Sequence, residues 1–380
     1  MLYLNNKDEK LFSIEKKIGM KKRVSKFEVI RILAMFLIVL HHSVVHGVCD
    51  ISRSLYPITM HFVNGGTAYV LGSGGIIGVY LFVLITGYFM INSKISLGKL
   101  LKLWLPIFFW SFLIFILFGN HLNIKELIKA IFPILFGEYW FMTVYVFMYC
   151  LIPILNNVVN SIKSKKEIIY LTIISFFIFV GDFPKIGLGL VASKLANFCI
   201  IYCAGALIRK KAILENKKYI KTAKKAFIIF ILVDVLSIYT LTYLGGSLNK
   251  SFFIKLAIDI VIQHWAFIGV VEAITLFMLL GSANIKYYSL INETAACMFG
   301  IYLISDNPYT QEIIWHHLFN MQNALSYPWW LMVIYILSVV IIVFVCCGIL
   351  EYIRQRIFSK FEKIAYIKGN KLQNKLGLKF

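Results

Sequence analysis

Long apolar stretches recur along the whole chain, and shorter polar or charged segments separate them. A helix needs about 20 mostly apolar residues to cross a lipid bilayer. Ten stretches approach that length, so the pattern predicts an all-α, polytopic membrane bundle of about ten transmembrane helices. The predicted spans are 27–48, 74–92, 101–119, 139–160, 167–183, 188–208, 226–245, 258–280, 295–315 and 328–352.

The distribution of Lys and Arg sets the predicted orientation. With the N-terminus inside, 31 of these residues fall on the cytoplasmic side and 7 on the outer side. Such an excess is typical of cytoplasmic loops. The sequence therefore predicts a multi-pass protein of the cytoplasmic membrane with both ends inside. Its expected parts are a basic N-terminal segment (1–26), a membrane domain (27–352) and a basic tail (353–380).

Composition supports a membrane protein and limits the classes of partner that it can bind. The chain is 60% hydrophobic and 15% charged, with a mean hydropathy of +0.79, whereas soluble domains are about half apolar and about a quarter charged. The net charge of +21 lies between and beyond apolar stretches, where anionic lipid and topology explain it. Nucleic acid is therefore excluded as a partner and membrane lipid is expected. The seven Cys residues show no spacing typical of a zinc site, so no metal is expected.

Two segments depart from simple spanning helices. Residues 123–136 place charged and apolar side chains on different sides of a helix, which indicates an interfacial amphipathic helix or, alternatively, a solvated loop. The ninth span is interrupted at residues 305–308, where Pro308 is expected to break or kink the helix.

The first span carries the strongest candidate chemistry. Arg31 and His42 are eleven residues apart, which returns close to the same helix face with a rise of about 16 Å. Charged groups within the bilayer are costly and are functional candidates by default. Both side chains are therefore predicted to line one cavity, Arg31 near the inner surface and His42 deeper. An imidazole there suits general-base catalysis or acceptance of an acyl group.

Structural roles remain open for the same residues. Arg31 could extend to the lipid headgroups or pair with Glu28, and His42 could simply bond a neighbouring helix. His41 points about 100° away from His42, so only His42 is expected to act. Thr86 and Gly87 in the second span could allow close approach of a ligand or of another helix.

Further polar residues are weaker candidates. Glu138 and Trp140 lie at the predicted outer face, where an aromatic belt is the default interpretation and a sugar contact is the alternative. Asp234 and Glu272 lie within apolar spans, and Asp306 lies in the interrupted one. Each is costly in the membrane unless it faces a cavity or a partner.

Several stretches, in this order, resemble the acyltransferase-3 family of integral membrane O-acyltransferases. The resemblance covers roughly residues 24–350 and begins with Arg31, ten intervening residues, His42 and Ser43. It continues through LFVLITGYFM (81–90), KLLKLWLPIFFWS (99–111), EYWFMTVYVFMYCLIPIL (138–155), YCAGALIRK (202–210) and FGIYLISDNP (299–308).

The resemblance implies transfer of an acyl group, usually acetyl, from cytoplasmic acyl-CoA to a hydroxyl of a cell-surface polysaccharide or its lipid-linked precursor. Acetyl-CoA would be a substrate, and no tightly bound cofactor is expected. His42 and Arg31 would be catalytic. The expected donor-binding residues are Arg31, Lys99, Lys102, Thr86 and Gly87. The expected acceptor-binding residues are Ser43, Glu138, Trp140 and Asp306.

Two positions differ from the family pattern, and other functions remain open. Ser305 stands where many relatives carry a His, and Glu138 stands where a His or another polar residue is common. Topogenic charge explains Lys99 and Lys102 as well as phosphate binding does. An exporter or flippase of polysaccharide or polar lipid would also use intramembrane charge and broken helices, although the chain shows no internal repeat. A membrane racemase module or a sensor is a third possibility.

Overall fold

The computed structural model describes residues 24–50, 62–120, 122–181, 194–263 and 266–377, and in this part of the chain it contains helices and no strand. The basic segment 1–26 lies almost entirely outside the described residues. The helices are α1 (Ser25–His42, continued by a π-helix Ser43–Val48), α2 (Phe62–Gly72), α3 (Gly75–Met90), α4 (Leu97–Phe118), α5 (Ile124–Ile131), α6 (Trp140–Ser161), α7 (Lys165–Gly181), α8 (Lys194–Lys210), α9 (Lys217–Ser247), α10 (Ser251–Gln263), α11 (Ala266–Ser282), α12 (Ser289–Ser305), α13 (Pro308–Gln311, continued by a π-helix Glu312–Leu318) and α14 (Trp329–Lys375).

The described helices confirm a multi-pass, all-α membrane protein. Seven helical segments in the described residues are long and apolar enough to cross a membrane. They are Ser25–Val48, Phe62–Met90, Leu97–Phe118, Trp140–Ser161, Lys217–Ser247, Ser251–Ser282 and Trp329–Lys375. Three further predicted spans coincide with α7, α8 and α12, which have 17 residues each. The count of ten and the orientation therefore stay predictions.

Helix α3 is central because glycines let two neighbours approach it closely. A side chain at Gly87 would collide with the backbone carbonyl of Tyr202 in α8, and one at Gly205 would collide with the carbonyl of Leu84 in α3. On the α1 side, Gly78 faces the carbonyl of Ala34 in the same way. Small residues at such crossings are typical of membrane helix packing. This packing places α1 and α8 on either side of α3.

The interruption predicted in the ninth span is confirmed. Helix α12 ends at Ser305, and Asn307 caps α13 by accepting a hydrogen bond from the backbone N–H of Tyr309 at 3.1 Å. Pro308 occupies the first turn of α13, where its missing N–H costs nothing. The Thr310 hydroxyl donates back to the carbonyl of Ile304 and so fixes the two pieces to each other. The break therefore has a defined geometry.

Helix α14 is longer than the sequence predicts, because it continues past 352 to Lys375. A buried charge network at this point ties it to α4. The Trp110 indole N–H donates to Glu351 at 2.7 Å, and Arg354 donates twice to Glu351 at 2.7 and 2.8 Å and once to Glu362 at 2.9 Å. Buried charges are tolerated when they are paired and hydrogen-bonded. Because these charges are paired, α14 can continue past residue 352 into its charged C-terminal part.

The amphipathic segment predicted at 123–136 forms the eight-residue helix α5, which Asn123 caps. The Tyr309 hydroxyl donates to Glu126 at 2.5 Å and lowers the pKa of that carboxyl, and Lys129 pairs with Glu138 at 3.1 Å. Helix α5 is thereby joined to α13 and to the start of α6. Its position at the lipid interface stays a prediction.

Candidate functional site

A cavity of about 1150 Å³ lies between α1, α3, α6, α8 and α12, and both Arg31 and His42 line it. It is larger than most small-molecule sites, which occupy about 300–1,000 Å³. The two side chains share a helix face at the predicted spacing, so the structure meets the geometric condition that the sequence set. Their catalytic roles stay predictions.

At the deeper end of the cavity, His42 meets two further ionisable groups, His46 and Asp306, and we call the three the His–Asp cluster. Of the three, the described lining of the cavity includes only His42, and the other two lie behind it. The Nε2 atom of His42 lies 3.5 Å from a carboxylate oxygen of Asp306. The His42 and His46 rings are 5.5 Å apart between centroids. One potential ligand atom from each of the three residues lies within 4.8 Å of the others. Asp306 and His42 are each 7% exposed, so their charges are largely removed from water.

Local structure explains why these groups meet. His42 is the last residue of α1, and His46 follows one turn later in the π-helix. Residues four apart share a helix face, and π-helical turns are frequent at functional sites. The break after α12 then carries Asp306 out of the regular helix and toward His42.

The position of Asp306 is held from the other side by neutral donors. The Gln311 amide donates to its carboxylate at 2.7 Å and to its backbone carbonyl at 3.1 Å. Next to it, the Asn307 amide donates to the Tyr139 hydroxyl at 3.0 Å, which in turn donates to the carbonyl of Leu303 at 3.0 Å. Hydrogen bonds of this kind orient a functional carboxylate without neutralising it.

The other end of the cavity is basic. Arg31 pairs with Glu28, as the structural alternative predicted, and its side chain is still 28% exposed. Thr86 of α3 also lines the wall and shares a hydrogen bond of 3.2 Å with the Tyr145 hydroxyl. The Thr86 hydroxyl also donates to the carbonyl of Phe82 at 2.9 Å. The wall therefore carries neutral hydroxyl groups in addition to its charged groups.

Four predicted site residues lie away from this wall. Gly87 packs against α8, which favours the helix-packing interpretation over a ligand contact. Ser43 is fully buried and donates to the carbonyl of Leu40 at 2.7 Å. Lys99 and Lys102 are exposed at the start of α4, and the described lining residues include neither. The topogenic interpretation of these lysines is thereby favoured.

The remaining predicted residues divide between the wall and the surface. Trp140 lines the cavity, and the Lys194 ammonium lies 4.3 Å from its ring centroid. Glu138 lies outside the described lining and pairs with Lys129. His41 makes a 2.7 Å hydrogen bond to the carbonyl of Gly72, so this imidazole joins α1 to the end of α2. That only His42 of the two acts stays a prediction.

Asp234, Glu272 and Ser305 are buried away from the cavity. None of them is among its described lining residues. Ser305, at the position where many relatives carry a His, is fully buried. The His–Asp cluster stands beside this position.

Sequence analysis missed two residues of the candidate site, His46 beside the cavity and Arg209 in its wall. His46 carried a usable signal, since it lies four residues after His42. Arg209 lines the cavity at its basic end. The sequence showed it at the end of an apolar stretch and within the YCAGALIRK segment (202–210) of the family resemblance, but no role was assigned to it. Such a position is typical of topogenic charge, so its contribution needed the fold.

The His–Asp cluster could also hold a divalent cation. Two imidazoles and one carboxylate are a donor set that zinc and non-haem iron sites use. The 3.5 Å separation of the His42 nitrogen and the Asp306 oxygen is also compatible with an imidazole that is oriented by a carboxylate, without metal.

Comparison with known proteins decides the family. A family model described as an acyltransferase domain, Acyl_transf_3, matches residues 24–351. The chain belongs to the acyltransferase-3 family. No curated protein matches it, and no solved structure does either. Membership of the acyltransferase-3 family makes the protein a membrane acyltransferase in general terms. The matched range contains every residue of the cavity wall described above.

Proposed function

We propose that this protein transfers an acyl group, most simply acetyl, from cytoplasmic acyl-CoA to a hydroxyl of a cell-surface polysaccharide or its lipid-linked precursor. The observation that carries the proposal is the shared cavity, with Arg31 at one end and His42 at the other, where Asp306 lies 3.5 Å from the His42 nitrogen. A long thioester donor requires this separation between its charged end and its reacting carbon. With both ends of the chain inside, Arg31 would face the cytoplasm.

The chemistry assigns one role to each group. His42 accepts the proton of the acceptor hydroxyl as its oxygen attacks the thioester carbonyl carbon. The new C–O bond forms and the C–S bond breaks, and the proton passes from His42 to the departing thiolate. Asp306 stabilises the positive charge on His42 while the proton resides there. Atoms and charges balance, and neither a redox partner nor a resident cofactor is required.

The wall of the cavity supports the two substrates at different points. Trp140 offers an indole ring beside the deeper part, and such a ring presents an apolar face to a sugar. The Thr86 and Tyr145 hydroxyls line the cavity and would offer hydrogen bonds to the amides of a donor arm. The cavity volume is sufficient for parts of both substrates to be bound together.

The proposal is tested by replacing His42 with Ala in the native host and measuring acetyl groups on surface polysaccharide by mass analysis. General acid–base catalysis contributes about 10²- to 10⁴-fold, so acetylation should fall to background while polysaccharide export continues. His317→Ala is the matched control, because this imidazole is 71% exposed and should leave acetylation unchanged.

The outcomes separate the competing functions. Loss of export with acetylation retained would overturn the proposal in favour of an exporter or flippase. Normal acetylation and normal export in the His42 variant would show that the cavity does not perform transfer. A racemase or sensor would leave the acetyl content of the glycan unchanged even when the gene is deleted.

A further inference from the structure

The end of the cavity opposite the His–Asp cluster carries three cations, Lys26, Arg31 and Arg209, which we call the basic mouth. Two carboxylates, Glu28 and Glu215, also line this region. Glu28 is committed to Arg31. In contrast, no described carboxylate lies within ion-pair distance of Arg209 or Lys26. The basic mouth therefore has positive charge that is not neutralised by described acidic groups.

Arg209 is held in place without losing its charge or most of its donors. It lies at the end of α8, where its Nη1 atom donates to the Tyr88 hydroxyl at 3.0 Å. Its guanidinium carbon lies 5.0 Å from the centroid of the same ring. A guanidinium has five N–H donors in a rigid fork, so further donors remain for a ligand. Stacking on an aromatic ring restricts the side chain and reduces the entropy that it loses on binding.

Aromatic packing extends this support to a second cation. The Tyr88 ring packs on Phe27 with centroids 4.8 Å apart, and Lys26 lies over Phe27 at 5.5 Å. Phe89 packs edge-on against both rings, and 44% of it is exposed. Arg209 and Lys26 are therefore positioned by one cluster of rings, at the mouth of a cavity that also has an exposed aromatic face.

The distance to the reacting end fits a long donor. From Lys26 to His42, α1 advances 16 residues, which is about 24 Å. A ligand that reaches both ends must therefore carry its anionic group far from its reactive group. Among thioester donors, those with a nucleotide end have this shape. A guanidinium fork matches phosphate oxygens in a bidentate way, and an ammonium binds them as a point charge.

We propose that Arg209, assisted by Lys26, binds the phosphate groups at the nucleotide end of the thioester donor. This inference rests on the proposed function, because it names the donor-binding residues of the same cavity. It replaces Lys99 and Lys102, which the sequence suggested for this task, with two cations that line the cavity. Tyr88 acts as a positioning residue for Arg209.

The test measures binding, independently of acyl transfer, on the full-length protein in neutral detergent. Coenzyme A, pantetheine and inorganic phosphate are titrated against the wild type and against Arg209→Ala. Charge-assisted hydrogen bonds of this kind correspond to about 10- to 100-fold in affinity. We expect the affinity for coenzyme A to fall by that factor and the affinity for pantetheine to stay unchanged. Arg209→Lys should retain part of the affinity.

A matched control comes from α14. Arg356 also donates to a tyrosine hydroxyl, that of Tyr352, and also lies over its ring at 4.8 Å, but it is outside the described lining of the cavity. Arg356→Ala should leave coenzyme A binding unchanged. If Arg209→Ala does not fold, as a thermal melt would show, the charge-preserving Arg209→Lys and the separate Lys26→Ala variant provide the comparison.

Each further outcome counts against a specific statement. Equal loss of coenzyme A and pantetheine binding would show that Arg209 supports the fold of the cavity and does not read phosphate. Unchanged coenzyme A binding, with weakened binding of anionic phospholipid vesicles, would assign Arg209 to lipid headgroups. Either result would overturn this inference and leave the proposed function standing. If the wild type binds no coenzyme A, the acyl-CoA donor of the proposed function fails as well.

Discussion

Replacing Asp306 with Asn tests the contact between Asp306 and His42, which the structure shows and the sequence did not predict. The change keeps the size of the side chain and removes its negative charge, 3.5 Å from the His42 nitrogen. The Gln311 amide can still donate to the remaining carbonyl oxygen, so the segment after α12 should keep its position. The variant therefore isolates the effect of charge on His42.

The expected size of the effect follows from the distance and the burial. Two unit charges 3.5 Å apart at an effective dielectric constant of about 20 attract by about 5 kcal/mol. Part of this is offset by the cost of removing the carboxylate from water, and hydrogen bonds to charged groups contribute a net of about 1.5–3 kcal/mol. If this net stabilisation is present only while His42 carries the proton, losing it lowers the turnover rate by about 10- to 150-fold.

The assay follows release of free thiol from acetyl-CoA by membranes that contain equal amounts of each variant and the native acceptor. We expect kcat to fall while the KM for acetyl-CoA changes little, because the donor phosphates would bind at the basic mouth. In the His42→Ala background, Asp306→Asn should cause little further loss, since groups that act as a unit are not additive.

Asp50→Asn is the matched control for this experiment. Asp50 is also a buried carboxylate, and the Gln322 amide donates to it at 3.0 Å, but the described imidazole within ion-pair distance of it is that of His316, at 4.0 Å, and not that of His42. Activity close to wild type is expected. Additive losses in the His42/Asp306 double variant, or an unchanged rate in Asp306→Asn, would refute the idea that the carboxylate acts through the imidazole.

Three further results are expected. Dialysis against a chelator should leave transfer activity unchanged; loss of activity that returns with zinc or iron would show that the His–Asp cluster holds a cation. Gly87→Leu should lower stability by about 1–3 kcal/mol through overpacking against α8, measured as a lower melting temperature in detergent, whereas Gly246→Ala should be tolerated because that position faces open space. Arg354→Ala should cost about 3–5 kcal/mol by leaving Glu351 buried and unpaired, and Arg356→Ala, at an exposed site, should have little effect on the same melting curve.

The elements that the sequence predicted well are those that depend on local physics. Apolar length identified the spanning segments, because the bilayer thickness sets that length. The break at Pro308 followed from the missing N–H of proline. In contrast, the extension of α14 to Lys375 was not foreseen, since a charged tail gives no signal of hydrophobicity. The first residues of this extension are stabilised by tertiary contacts, such as the hydrogen bond that Trp110 donates to Glu351, 241 positions further along the chain.

The candidate site was predictable only where a single helix contained it. Arg31 and His42 share α1, so helical geometry alone placed them on one face. Asp306 was foreseen as polar and costly, but its role beside His42 depends on how α12 packs on α1. Lys99 and Gly87 were assigned to the donor from motif resemblance, and packing puts both elsewhere. Which polar groups in a membrane bundle face one another is set by helix packing, which a single sequence does not reveal.

The break after α12 links the fold to the proposed chemistry. A continuous helix through residues 305–308 would rotate successive side chains by about 100° each and would leave its backbone groups satisfied internally. The break instead frees backbone carbonyls between Leu303 and Asn307, and side chains replace the lost partners. Tyr139 donates to the carbonyl of Leu303, Thr310 to those of Ile304 and Asn307, and Gln311 to that of Asp306. Such irregular backbone is tolerated at membrane depth when protein surrounds it or when it lines a cavity. The same contacts that make the break tolerable therefore hold a carboxylate beside His42, which is the arrangement that the proposed proton transfer requires.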